Sequence, residues 1–173
     1  ANVPYRIRAY DDLLKDPRDS IEFLPDLDQA LTTRSQALGS DQKLMTDPGG
    51  EVIHVNMVEK LLVPVLAKLS NFVPEAGIWL NTQRPEWNDA NNALAGYGAS
   101  VVTLNYLHRH LSFLERWLVD IDFDAVSLSE SVHDYLRAIQ TILKSNESTL
   151  LAPINDEDRR QIQDQLELSL IHI

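Results

Sequence analysis

The stretch ASVVTLNYLHRHLSFLERWLV, residues 99–119, carries the clearest fold signal in the chain. Its leucines recur at spacings of three and four residues, which is the period of one face of an α-helix. They are Leu104, Leu107, Leu111, Leu114 and Leu118. The stretch therefore predicts a long amphipathic helix whose leucine face packs against a core.

Apolar residues at the same spacings predict two helices upstream of this stretch. The first begins at about Asp26 and ends at Gly39. The second covers Met57 to Phe72, where a wide apolar face predicts near-complete burial and Pro64 predicts a kink.

Two more helices are predicted downstream. Ser127 and Glu130 have the S-x-x-E spacing of a capping box, so one helix is predicted to begin at Ser127. A last helix is predicted to start at Asn155, because the acidic residues 156–158 favour the positive end of a helix dipole.

The remaining segments contain turn signals rather than long strands. Asp47-Pro48-Gly49-Gly50 predicts a turn in a small hairpin or loop, and residues 73–87 predict a structured loop. The fold class is therefore predicted to be all-α, built from packed helical hairpins with at most a minor β-hairpin. A four-helix bundle also fits the periodicity.

The composition is that of one globular domain. The chain has 173 residues, of which 44% are hydrophobic and 24% charged. A net charge of -11 would repel a phosphate backbone, so nucleic acid is not expected as a partner. No apolar run reaches the roughly 18 to 20 residues of a membrane helix, so no membrane partner is expected. With no cysteine, the chain forms neither a disulfide nor a thiolate metal site.

The segment NTQRPEWNDANN, residues 81–92, has the composition of a saccharide subsite. Amides, carboxylates and arginine match sugar hydroxyls, and the apolar face of a pyranose stacks on an indole ring such as that of Trp87. The structural alternative is that Asp89 caps a helix while Asn91 and Asn92 form a turn. We call residues 81–92 the polar tract.

Trp87-Asn88-Asp89 resembles the W-N-D motif of the cellobiose and chitobiose phosphorylase family, whose catalytic domain is an (α/α)6 barrel. A longer stretch, from Val58 through Leu111, looks like a segment of large bacterial proteins of six-hairpin glycosidase type. The resemblance covers about a third of the chain. It implies a partial (α/α)6 toroid, because a complete barrel contains more helices than the sequence predicts.

The resemblance also implies roles for individual residues. In the phosphorylases the aspartate of W-N-D protonates the departing glycosidic oxygen, which implies that Asp89 is the general acid. Glu86 is the fallback acid or a substrate ligand. Trp87 then lines the sugar site. The composition of the tract makes Gln83, Arg84, Asn88 and Asn92 further substrate-binding candidates. Tyr97, between Gly96 and Gly98, is a candidate that can present its hydroxyl to a sugar; the alternative is that these glycines end one short helix before the next begins.

The reaction type stays open at this stage. An inverting hydrolase needs a second carboxylate roughly 6.5 to 9.5 Å from the acid, whereas a phosphorylase uses inorganic phosphate as its nucleophile. Ala90 stands where the phosphorylases usually have glycine, so the sequence departs from the family at this point. The expected partners are an oligosaccharide substrate, inorganic phosphate in the second case, and the rest of a parent polypeptide.

No cofactor or metal is predicted. The chain has no dinucleotide-binding, Walker-type or nucleophile-elbow motif. His108 and His110 are two residues apart on a predicted helix and point to different faces, so shared metal coordination is not expected.

The domain prediction is a fragment of an (α/α)6 domain over residues 1–167, followed by a non-native tail over residues 168–173. LSLIHI, residues 168–173, resembles the translated end of a transposon used to prepare sequencing libraries. The isolated chain is expected to be inactive. The alternative function is a non-catalytic helical module that binds glycan or protein through the polar tract.

Overall fold

The computed structural model describes residues 3–81, 93–121 and 125–169. Within these ranges the chain is mainly helical, which confirms that part of the predicted fold class. The α-helices are α1 (Tyr10–Leu13), α2 (Pro25–Leu38), α3 (Met57–Leu69), α4 (Val101–Asp120), α5 (Glu130–Ser145), α6 (Glu147–Leu150) and α7 (Asp156–Leu168). A 3-10 helix follows α2 at Ser40–Lys43.

The described residues also form two small antiparallel sheets. One pairs β1 (Tyr5–Ile7) with β2 (Ile21–Phe23), and the other has the order β3 (Phe72–Val73), β4 (Gly77–Trp79), β5 (Ala99–Ser100). The prediction of at most a minor hairpin was therefore wrong. Strands of two or three residues are too short to show the alternating pattern by which a strand is recognised in a sequence.

Helix α3 lies between two clusters of apolar side chains. Leu66 packs in the first cluster with residues of α5 and α7, which are Val132, Tyr135, Ile139, Ile162 and Leu166. Val65, the neighbour of Leu66 on α3, packs in the second with residues of β4 and α4, which are Ile78, Leu107 and Leu114. Consecutive helix residues point about 100° apart, so one helix can serve both clusters.

The predicted helix boundaries agree closely with the observed ones at three places. Helix α2 ends before Gly39, whose φ of 100° suits glycine. Helix α4 begins two residues after the predicted start, with the Ser100 side chain accepting from the backbone N–H of Thr103. Asn155 caps α7 by accepting from the N–H of Asp158 at 2.8 Å.

Two details of the helix predictions were wrong. Helix α3 ends at Leu69 rather than Phe72, and it is not almost completely buried, because Met57 and Val63 are 59% and 47% exposed. Helix α5 begins at Glu130 with Ser129, not Ser127, at its N-cap, so the predicted capping box is absent.

The N-cap residue of α5 is held by a side chain from another helix. The carboxylate of Glu59 on α3, which is 5% exposed, accepts hydrogen bonds from the backbone N–H of Ser129 at 2.8 Å and from its hydroxyl at 2.6 Å. A carboxylate at a helix N-terminus also interacts favourably with the helix dipole. Glu59 therefore joins α3 to the start of α5.

We expect Glu59→Gln to lower the free energy of unfolding by about 1 to 3 kcal/mol, because a buried charge-assisted pair of hydrogen bonds is weakened. Urea unfolding at neutral pH measures the change. Glu115→Gln, an exposed glutamate on α4, is the control and should change stability by less than about 0.5 kcal/mol. Equal stability of Glu59→Gln and the wild type would show that the contact contributes nothing.

Candidate functional site

Most residues of the predicted sugar site lie outside the described residues. These are Gln83, Arg84, Glu86, Trp87, Asn88, Asp89 and Asn92. Their assignments remain predictions. The described residues on either side of the polar tract, and the cavities near them, define the surroundings of the site.

The two flanks of the polar tract are held together by a short hydrogen-bonded ladder. Trp79 pairs with Ala99 in the sheet. Beyond that pair, the N–H of Leu80 donates to the carbonyl of Gly98 at 2.9 Å, and the N–H of Gly96 donates to the carbonyl of Leu80 at 2.6 Å. The residues just before and just after the tract therefore lie next to each other at one end of the three-stranded sheet.

Gly96 is required at this junction. Its φ is 83°, and a Cβ at this position would lie 2.3 Å from the backbone oxygen of Pro17. Its carbonyl accepts a hydrogen bond from the indole Nε1–H of Trp79 at 3.2 Å. Gly96 thus has a structural role where the chain returns from the tract.

Two polar side chains adjoin the ladder. Tyr97 is 66% exposed, and the guanidinium of Arg18 lies 5.3 Å from the centre of its ring. Asn81 is 8% exposed, and within the described part of the chain its Nδ2 has no hydrogen-bond partner. Asn81, the first residue of the tract, is therefore buried beside the ladder, while the Tyr97 ring after the tract is exposed.

A first cavity lies against the ladder. It has a volume of about 360 Å³, and Trp79 and Gly96 form one side of it while α1 and α7 contribute others. The Arg159 side chain in its lining is already engaged, because it donates to the carbonyl of Pro74 and to the carboxylate of Glu75, each at 3.0 Å. We therefore assign Arg159 to the packing of α7 rather than to a ligand.

A second, larger cavity of about 730 Å³ also borders Tyr10, and the buried residue Glu167 is part of its lining. Glu167 lines it and is 3% exposed, and among the described residues its Oε1 has no hydrogen-bond partner. Burial raises the pKa of Glu167 from 4.5 to about 8. Glu167 is therefore largely protonated at neutral pH, when a carboxyl group is ordinarily ionised.

Two tyrosines line this cavity with their hydroxyl groups bonded to the protein. The Tyr10 hydroxyl donates to Asp164 at 2.5 Å, and the Tyr135 hydroxyl donates to the backbone carbonyl of Leu66 at 3.1 Å. Burial, with the Asp164 hydrogen bond and charge, raises the pKa of Tyr10, and burial raises the pKa of Tyr135 to about 12. Both phenols therefore remain neutral across the physiological range.

The sequence carries no signal that singles out Glu167. A glutamate beside leucines near the end of a polar helix is ordinarily solvent-exposed. Its burial arises because Leu166 and Ile162 turn that face of α7 toward α3 and α5. The carboxyl is recognised only from the tertiary packing.

Among the described residues, the two histidines of α4 join no metal-binding group. His110 lies near Phe113, with ring centres 6.3 Å apart, and His108 is exposed. Across residues 3–81, 93–121 and 125–169 no three or more histidine, aspartate or glutamate side chains are arranged to hold a metal ion. None of the helices in those ranges is long and apolar enough to cross a bilayer.

Comparisons with known proteins do not assign the chain to a family. No protein-family model matches the sequence, and no curated protein matches it.

Proposed function

We propose that the chain is part of a carbohydrate-active enzyme that cleaves glycosidic bonds, with Asp89 as the general acid. The observation that carries the proposal is the composition of the polar tract. Twelve residues include one arginine, two carboxylates, one tryptophan, four asparagines and one glutamine. This is the set of groups that can bind sugar hydroxyls and stack against a sugar ring.

The surroundings of the tract support this proposal. Its flanks are joined through Leu80, Gly96 and Gly98, and a chain segment whose two ends are held together has less conformational freedom than one with free ends. Tyr97 is exposed beside the ladder and offers another aromatic ring with a hydroxyl group. A substrate bound by the tract would therefore lie close to a rigid part of the fold.

Asp89 follows Trp87 by two residues, and this arrangement suits a proton donor. A carboxyl group partly shielded from water by an indole ring is harder to ionise and can keep its proton near neutral pH. Glu86 is the fallback acid or a substrate ligand. Arg84, Asn88, Asn92 and Gln83 supply the remaining donors and acceptors.

The proposal includes a partial (α/α)6 architecture. On this account further helices of a longer polypeptide complete the pocket and contribute the group that activates water or positions phosphate. The 173-residue chain alone is then expected to bind substrate weakly and to show no turnover.

The test is the release of sugar from a panel of oligosaccharides, with and without inorganic phosphate, by the longer polypeptide and by this chain. We expect the longer polypeptide to release free sugar if it is a hydrolase, or sugar phosphate only with phosphate present if it is a phosphorylase. Binding without release would support the alternative, a non-catalytic glycan-binding module. The absence of both binding and release would contradict the carbohydrate assignment.

A further inference from the structure

The cavity that contains Glu167 has the size and lining of a small-molecule site. Its volume of about 730 Å³ falls within the range typical of ligand pockets. Most of its wall is apolar, with Leu13, Val63 and Val132 among the lining residues. Such a wall suits the hydrocarbon part of a ligand, since apolar surface removed from water stabilises the complex.

The charged groups around the cavity belong to ion pairs except for Glu167, although the Nε of Arg8 makes no hydrogen bond among the described residues. Three ion pairs lie in or beside its lining, and they are Arg6–Glu22 at 2.5 Å, Arg8–Asp19 at 3.2 Å and Lys15–Asp12 at 3.0 Å. Glu167 has no such partner among the described residues, and burial alone accounts for its raised pKa. An unpaired, buried carboxyl group is costly to ionise unless a cation approaches it.

Two aromatic rings stand in the same lining as Glu167. Tyr10 and Tyr135 line the cavity from α1 and α5, and their hydroxyl groups are already bonded to Asp164 and Leu66. The rings therefore remain as apolar and π surfaces. Aromatic rings attract organic cations, most strongly where water is excluded.

We infer that this cavity binds a small organic ammonium ion with an apolar body, whose charged group pairs with Glu167 between Tyr10 and Tyr135. An anionic ligand cannot form an ion pair with Glu167. A neutral polyol would leave most of its hydroxyl groups against apolar wall. This site is separate from the polar tract, and the inference does not rest on the proposed function.

The test compares primary amines with alcohols of the same skeleton. Hexylamine, phenethylamine and tryptamine are titrated into the 173-residue chain by calorimetry, alongside hexanol, 2-phenylethanol and tryptophol. We expect at least one amine to bind about 10- to 100-fold more tightly than its alcohol, which is the gain typical of a charged hydrogen bond. If no amine binds more tightly than its alcohol, the inference is wrong.

Two variants separate the role of Glu167 from a general effect of negative charge. Glu167→Gln should lose the preference for the amine, while Glu157→Gln, which removes an exposed carboxylate from the same helix, should keep it. Thermal unfolding of both variants confirms that they are folded. Unchanged amine binding by Glu167→Gln, or an equal loss in Glu157→Gln, would overturn the inference.

Discussion

Asp89→Asn is expected to lower turnover of an oligosaccharide by about 100- to 10,000-fold in the polypeptide that carries the complete site, which is the usual contribution of a general acid. Asparagine has nearly the shape of aspartate but cannot donate the proton. It also serves equally well as a helix N-cap, so the substitution should leave stability almost unchanged. A loss of activity in a protein of normal stability would therefore identify a chemical role.

A comparison of two substrates tests the proton-donating role of Asp89 more specifically. An aryl glycoside with a nitrophenol leaving group needs little protonation, so the Asp89→Asn variant should cleave it with a much smaller deficit than an oligosaccharide. Asn91→Ala in the same tract is the control for a general disturbance of the loop. An equal loss on both substrates would argue against Asp89 as the acid, and full activity would exclude that role.

Glu167→Gln is expected to stabilise the chain by about 4 to 5 kcal/mol at pH 8.5 and by only about 1 kcal/mol at pH 5. The pKa of Glu167 is about 8 in the folded state and 4.5 in its ordinary setting, so the folded state holds this proton more tightly. The protonated carboxyl group of Glu167 therefore contributes folding stability that is fully present below about pH 4.5 and is lost as the pH rises through about 8. Glutamine stays neutral and removes this pH dependence.

Urea unfolding of both proteins at pH 5, 6, 7 and 8.5 gives the difference at each pH, in which the other titrating groups cancel. The difference should grow by at most about 1.4 kcal/mol per pH unit. Glu157→Gln should show no comparable trend. A Glu167→Gln protein that is less stable than the wild type at every pH would mean that the carboxyl group has a partner that glutamine cannot replace.

The long helices could be predicted because their signals are local. In α4 the leucine spacing is repeated over several turns, and in α7 the Asn155 cap and the following acidic residues mark the start. The start of α5 was misplaced because its N-cap residue, Ser129, is held by Glu59, a residue 70 positions away in the chain. Because Glu59 is distant in the sequence, no pattern of residues around Ser127 reveals this contact.

The two candidate sites also differ in whether local sequence is enough to recognise them. The polar tract is recognisable from its sequence, because its sugar-matching residues are consecutive. The cavity that Glu167 lines combines Tyr10, Tyr135 and Glu167 from the three helices α1, α5 and α7. Its character depends on which polar atoms the packing leaves without partners, and that follows only from the tertiary structure.

The most direct test of the central claim, that the polar tract is a saccharide subsite, is a titration of the isotope-labelled chain with oligosaccharides at millimolar concentration while backbone amide shifts are recorded. We expect saturable shifts confined to residues 81–98 for at least one sugar, and their loss in Trp87→Ala. Shifts confined to other parts of the chain, or none with any sugar, would contradict the claim.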